Sequence, residues 1–81
     1  MITIKDFNKR VNKNIPWMFN YEYRVDDKVY SIYKMSPSSM EVSIETKAHG
    51  GGFWKDIEPK EIESIDEGLE IINEFIKEQT K

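Results

Sequence analysis

Of the 81 residues, one is histidine (His49), fifteen are Asp or Glu, twelve are Lys or Arg, and none is cysteine. The missing thiols exclude a disulfide framework, a zinc–thiolate centre and a cysteine nucleophile, and they suit a reducing compartment. A lone His needs carboxylates converging on it to hold a metal. Its candidates, Glu45 and Asp56, stand at no diagnostic spacing. Paired-carboxylate catalysis needs two acids whose surroundings drive their pKa values apart. Here the densest acids, Glu67, Glu70, Glu74 and Glu78, follow the spacing of a solvent-facing helix stripe.

His49-Gly50-Gly51-Gly52 has the form of the oxyanion loop of lipases and esterases. That loop works inside a large α/β sheet with a G-x-S-x-G elbow, and this chain has neither. The string is a chance match, and its plain reading is a hairpin loop whose glycines permit positive φ. Walker A, dinucleotide-fingerprint and EF-hand patterns are absent. The sequence therefore predicts no cofactor, no metal site and no enzyme.

The ten aromatic residues are the remaining chemical resource. Tyr21, Tyr23, Tyr30 and Tyr33 alternate through two segments and could stack single-stranded bases. Few cations accompany them, chiefly Arg24, Lys28 and Lys34, so nucleic acid is the secondary reading. Tyr and Trp are also enriched at protein interfaces. Ten aromatics exceed what one thin core easily hides. Tyr30, Tyr33, Phe53 and Trp54 are accordingly the candidate binding residues, with a protein partner or a second copy of the chain as ligand.

Elements must position these residues. Thr3 and Asp6 resemble a capping box, and Ile4, Phe7 and Val11 recur at helical spacing, which predicts an amphipathic helix over 4–13. Asn12 and Asn14 would terminate it, and Pro16 would prevent its continuation. From Trp17 the period becomes two, giving a strand to Val25, an Asp26-Asp27 turn and a second strand over 28–35. Two registers are open. A two-residue turn sets Tyr23 opposite Tyr30, and a three-residue turn sets Tyr21 opposite Tyr33; the choice decides which of Tyr30 and Tyr33 is buried.

Ser36-Pro37-Ser38-Ser39 marks a turn, and Met40 to Lys47 alternates cleanly as a third strand. After the glycines, 53–57 could form a fourth. Pro59 and Ile62 then belong to the approach to a C-terminal helix. Ser64 and Glu67 cap that helix, and Ile65, Leu69, Ile72 and Ile76, broadened by Phe75, form its buried stripe. Gly68 weakens the helix but would allow close packing on the sheet.

The sequence thus predicts one α+β domain over residues 1–81. It is a two-layer α-β-β-β-(β)-α arrangement, with an antiparallel meander sheet and both helices on one face. This order is shared with double-stranded-RNA-binding domains, which place basic residues at the start of the second helix. Here Ser64-Ile65-Asp66-Glu67-Gly68 would repel phosphate.

Residues 1–35 carry a net charge of +3 and residues 36–81 a net of −6, which suits two oppositely charged helices side by side. No apolar run approaches a membrane span and no secretory leader is visible, so a cytoplasmic protein is expected. Ten Lys against two Arg, with eleven Ile, point to an AT-rich bacterial or phage gene. The functional expectation is a small regulatory domain, of phage or mobile-element type, that binds protein through an open sheet face.

Overall fold

The structure, a computed structural model, describes residues 1–79. Five strands run β1 (Asn8–Asn12), β2 (Ile15–Val25), β3 (Lys28–Ser36), β4 (Ser39–Lys47) and β5 (Phe53–Ile62), followed by one helix, α1 (Ile65–Gln79). The strands form an antiparallel meander in chain order, β1-β2-β3-β4-β5.

The predicted helix over 4–13 is not formed. Ile4–Asp6 makes a single 3-10 turn, with the Thr3 N–H donating to the Asp6 carboxylate at 2.8 Å. The chain then pairs as β1 along β2, with Arg10 opposite Asn20 and Val11 opposite Phe19. Phe7 and Val11 are four apart, which places them on one side of a helix or of a strand alike. The long edge of β2 offers backbone partners, and ladder pairing overrides the local helical signal. Asn12 and Asn14 close a hairpin instead of ending a helix: the Asn14 N–H donates to the Asn12 side-chain oxygen at 2.9 Å. The two-helix layer, with its opposed charges, is thereby replaced by one helix over a wider sheet.

Asp26 takes a left-handed φ of 54°, which Asp tolerates better than most residues. The two-residue turn pairs Val25 with Lys28 and sets Tyr23 opposite Tyr30 and Tyr21 opposite Ile32. At the next turn the Ser36 and Ser39 hydroxyls lie 2.9 Å apart. The glycine loop uses φ of 84°, 102° and 82° at Gly50, Gly51 and Gly52, and it leaves His49 exposed.

β5 extends through Pro59 to Ile62, beyond the expected 53–57. As an edge strand it needs no further ladder partner, so a residue without an N–H is tolerated there. Two register shifts against β4 accommodate it.

Ile32, Val42, Ile44 and Ile72 are wholly inaccessible and form the centre of the core, joined by Phe7, Tyr30 and Ile62. Ile65, Leu69, Ile71, Phe75 and Ile76 complete the helix's contribution as half-buried neighbours. Gly68 sits where the helix touches the sheet: a Cβ there would lie 2.9 Å from the Cδ1 atoms of both Ile32 and Ile62. At the helix start the Glu67 N–H donates to Ser64 Oγ at 3.1 Å. The Glu67 carboxylate accepts from the Glu63 N–H at 2.9 Å, one residue before the expected reciprocal partner.

The N-terminal segment is fastened beside α1. The Asn73 amide accepts from the Ile2 N–H at 2.8 Å and donates to the Ile2 carbonyl at 3.0 Å. Phe7 packs against Tyr23, with ring centroids 5.7 Å apart.

Candidate functional site

The sheet face opposite α1 is built by register. Arg10, Asn20, Tyr33, Glu41 and Glu61 lie in one row across all five strands. Arg24, Val29, Glu45 and Lys55 form another. With Glu22 and Lys47, the paired positions of this face carry four acids and four bases. Opposite charges lie close enough to compensate: Arg24 Nε is 2.6 Å from Glu22 Oε1.

Tyr33 occupies the middle of the first row and is half-buried. Its hydroxyl titrates above the ordinary value of 10.0. Burial is the main cause, Glu41 and then Glu45 add to it, and a hydrogen bond with Ser43 works the other way. Ser43 is 4% exposed although it lies on the face opposite α1. Beside Tyr33, Asn20 Oδ1 is buried and accepts no hydrogen bond among the described residues. Such an orphan acceptor is rare and calls for a physical reason. It lines a hollow of about 460 Å³ with Arg10, Met18, Phe19 and Met35. Met35 is 59% exposed.

The four candidate residues do not converge. Tyr30 is corrected to a core residue: it is 4% exposed, stacked on Tyr23 at 6.0 Å, and unavailable to a partner. The two-residue turn causes this by directing it to the helix side. Its hydroxyl is also raised, by burial first, then by Asp56 and Tyr23. Phe53 is exposed and pairs with Lys47. Trp54, the more exposed of the two, pairs with Thr46 on the helix side. From Glu41, opposite Tyr33, to Lys47, opposite Phe53, is six residues of strand, or about 20 Å. Tyr33 and Phe53 are therefore separate features of the same face.

Sequence reasoning missed Arg10, Met18, Asn20 and Met35. Arg10 falls in the segment whose spacing predicts a helix, and Met18, Asn20 and Met35 lack the aromatic character on which the candidates rest. Asn20 and Met18 alternate with Phe19 and Tyr21, so the same period of two could have placed them.

On the helix side, Lys28 Nζ donates to Thr46 Oγ1 at 2.7 Å and pairs with Asp56 at 3.1 Å. The Thr46 hydroxyl donates to that same carboxylate. Lys28 also lies 5.3 Å from the Phe75 ring centre. This cluster closes one end of the core, and its hydroxyl is committed to Asp56. Among the described residues no three His, Asp or Glu side chains gather as metal ligands, and no helix is long and apolar enough to cross a membrane.

Comparison of the chain with protein-family models, curated proteins and solved structures gives no match.

Proposed function

We propose that this chain is a non-enzymatic regulatory domain that binds a protein, either another chain or a second copy, through the sheet face opposite α1. The observation that carries this reading is the composition of that face. Half-buried Tyr33 and Met18, exposed Met35 and the orphaned Asn20 oxygen lie among balanced charges. Aromatic and Met side chains favour protein contacts, and an unpaired acceptor rewards a partner that brings a donor. A nucleic-acid ligand gains less from this geometry. Tyr21, Tyr23 and Tyr30 lie on the helix side, so Tyr33 is the one sheet tyrosine left for stacking. With as many carboxylates as cations, the face offers a phosphate backbone no net attraction. A cytoplasmic regulator or inhibitor suits the size and residue usage.

The test is paired. Sedimentation of the pure protein over a wide concentration range reads self-association, and affinity capture from nuclease-treated lysate reads a second protein. Tyr33→Ala should weaken whichever complex forms by more than about 1 kcal/mol while changing stability less. Binding untouched by Tyr33→Ala, or tight, salt-dependent binding to single-stranded DNA or RNA, would count against the reading.

A further inference from the structure

A second surface lies on the other side of the molecule, where α1 meets β5. The sheet is five strands wide, about 19 Å between its outer strands. One helix with side chains spans about 10–12 Å. The Ile2–Phe7 segment fills the flank of α1 toward β2. The flank toward β5 holds a groove of about 560 Å³. Its floor is Ile57, Ile71 and Phe75, each half-buried. Its rim is Glu67, Glu70, Glu74 and Glu78, opposed by Lys60, the one cation lining it among the described residues.

The rim follows from helix geometry. Residues 67, 70, 71, 74, 75 and 78 are spaced three and four apart, so they form one stripe three turns long, or about 16 Å. Glu70, Glu74 and Glu78 are like charges four residues apart, which disfavours the helix. Glu67 is engaged by the Glu63 N–H. Glu70 and Glu74 are exposed and take part in no ion pair or side-chain hydrogen bond among the described residues. The chain thus keeps an apolar trough beside carboxylates that repel one another, and a cation arriving with apolar side chains would relieve both costs.

We infer that the α1–β5 groove binds a cationic amphipathic segment of a partner protein, its apolar side chains on Ile57, Ile71 and Phe75 and its Lys or Arg residues on Glu70 and Glu74. The charge sign selects this occupant: nucleic acid and anionic lipid surfaces are repelled by the same rim. The length of the stripe suits three turns of helix laid in a groove. This site is separate from the open face and stands or falls without it.

The probe is a synthetic 14-residue peptide of Leu and Lys with one apolar and one cationic helical face, titrated into the ¹⁵N-labelled full chain. Amide shifts should saturate at one peptide per chain and centre on Ile57, Lys60, Ile71 and Phe75. Glu70→Gln with Glu74→Gln should weaken binding at least tenfold without altering the fold. Tyr33→Ala should leave it unchanged, which separates this test from that of the open face. A peptide with Leu replaced by Ser, or with Lys replaced by Glu, should bind at least tenfold more weakly. Equal binding of the Ser peptide would reduce the site to diffuse acidity and overturn the inference. So would shifts centred on the open face, indifference to the two Gln substitutions, or no saturable binding at millimolar peptide.

Discussion

Gly68→Ala tests the tightest contact between helix and sheet. In an exposed helix interior this change would stabilise by about 1 kcal/mol. At Gly68 the new methyl meets Ile32 Cδ1 and Ile62 Cδ1 at 2.9 Å and Ile32 Cγ1 at 3.1 Å. Carbon atoms pack best at about 3.5–4.0 Å. Both isoleucines are core residues, at 0% and 4% exposure, so neither has open space to retreat into. Overpacking of this kind costs about 1–3 kcal/mol. The net is a loss near 1 kcal/mol, which in a domain this size lowers Tm by about 4–8 °C. Ile62→Val supplies the control, because it deletes the Cδ1 atom that the methyl strikes. Alone it should cost about 0.5–1.5 kcal/mol. Combined with Gly68→Ala it should cost less than the sum, with a coupling of at least about 0.5 kcal/mol. Urea unfolding of the four proteins of the cycle measures this. A Gly68→Ala protein stabilised by the full helix-propensity gain, or strictly additive with Ile62→Val, would show that the helix does not rest on these two side chains.

Ile72 is wholly inaccessible, so Ile72→Ala should cost about 2–5 kcal/mol in urea unfolding; a cooperatively folded sheet surviving deletion of residues 64–81 would contradict the core role of α1. His49 is exposed beside three positive-φ glycines, so His49→Ala should leave Tm within about 3 °C of the parent, and stoichiometric metal retained by the parent and lost in the variant would overturn that. Tyr30 and Tyr33 both titrate above 10.0 in the fold, so the stability their protonated forms contribute is complete below about pH 10 and is lost as pH rises through the folded-state values. The urea midpoint of the parent should therefore fall more steeply over that range than that of a Tyr30→Phe, Tyr33→Phe protein, and parallel profiles would refute the assignment.

The meander was legible where residues alternate under a single constraint. Met40, Val42 and Ile44 against Glu41, Ser43 and Glu45 admit one strand and one buried face, and the structure has both. The C-terminal helix was equally plain, since a cap, a stripe and a first turn of acids agree. The N-terminus was not legible because Phe7 and Val11, four apart, satisfy both the helical and the strand period. Only the presence of an eleven-residue β2 beside it, a tertiary fact, selects the strand. Pro59 misled for a related reason. It ends central strands, and the sequence did not show that β5 is an edge.

Of the candidate binding residues, Tyr30 is the one displaced to the core, and the cause is register, a quantity the sequence left open between two turns. Asp26 at positive φ decides it, and with it the fate of every side chain on β3: Tyr30 goes to the core and Tyr33 to the opposite face. The groove residues were partly in view, because Glu67, Glu70, Glu74 and Glu78 were recognised as one stripe. Ile71 was not, since it falls between that stripe and the buried one and was assigned to neither. A helix over the centre of a narrower sheet would cover such a residue. Here the sheet extends past the helix on the β5 side, so Ile71 and Phe75 stand half-exposed over Ile57. The charge asymmetry of the chain then acquires a location. The cations of β1 occupy one edge of the sheet, and the carboxylates of α1 border the groove at the other. Two helices side by side would have compensated each other. Separated by the width of the sheet, the two charge groups do not compensate each other, and Glu70 and Glu74 take part in no ion pair among the described residues, so the flank of β5 is where a cationic partner would gain most.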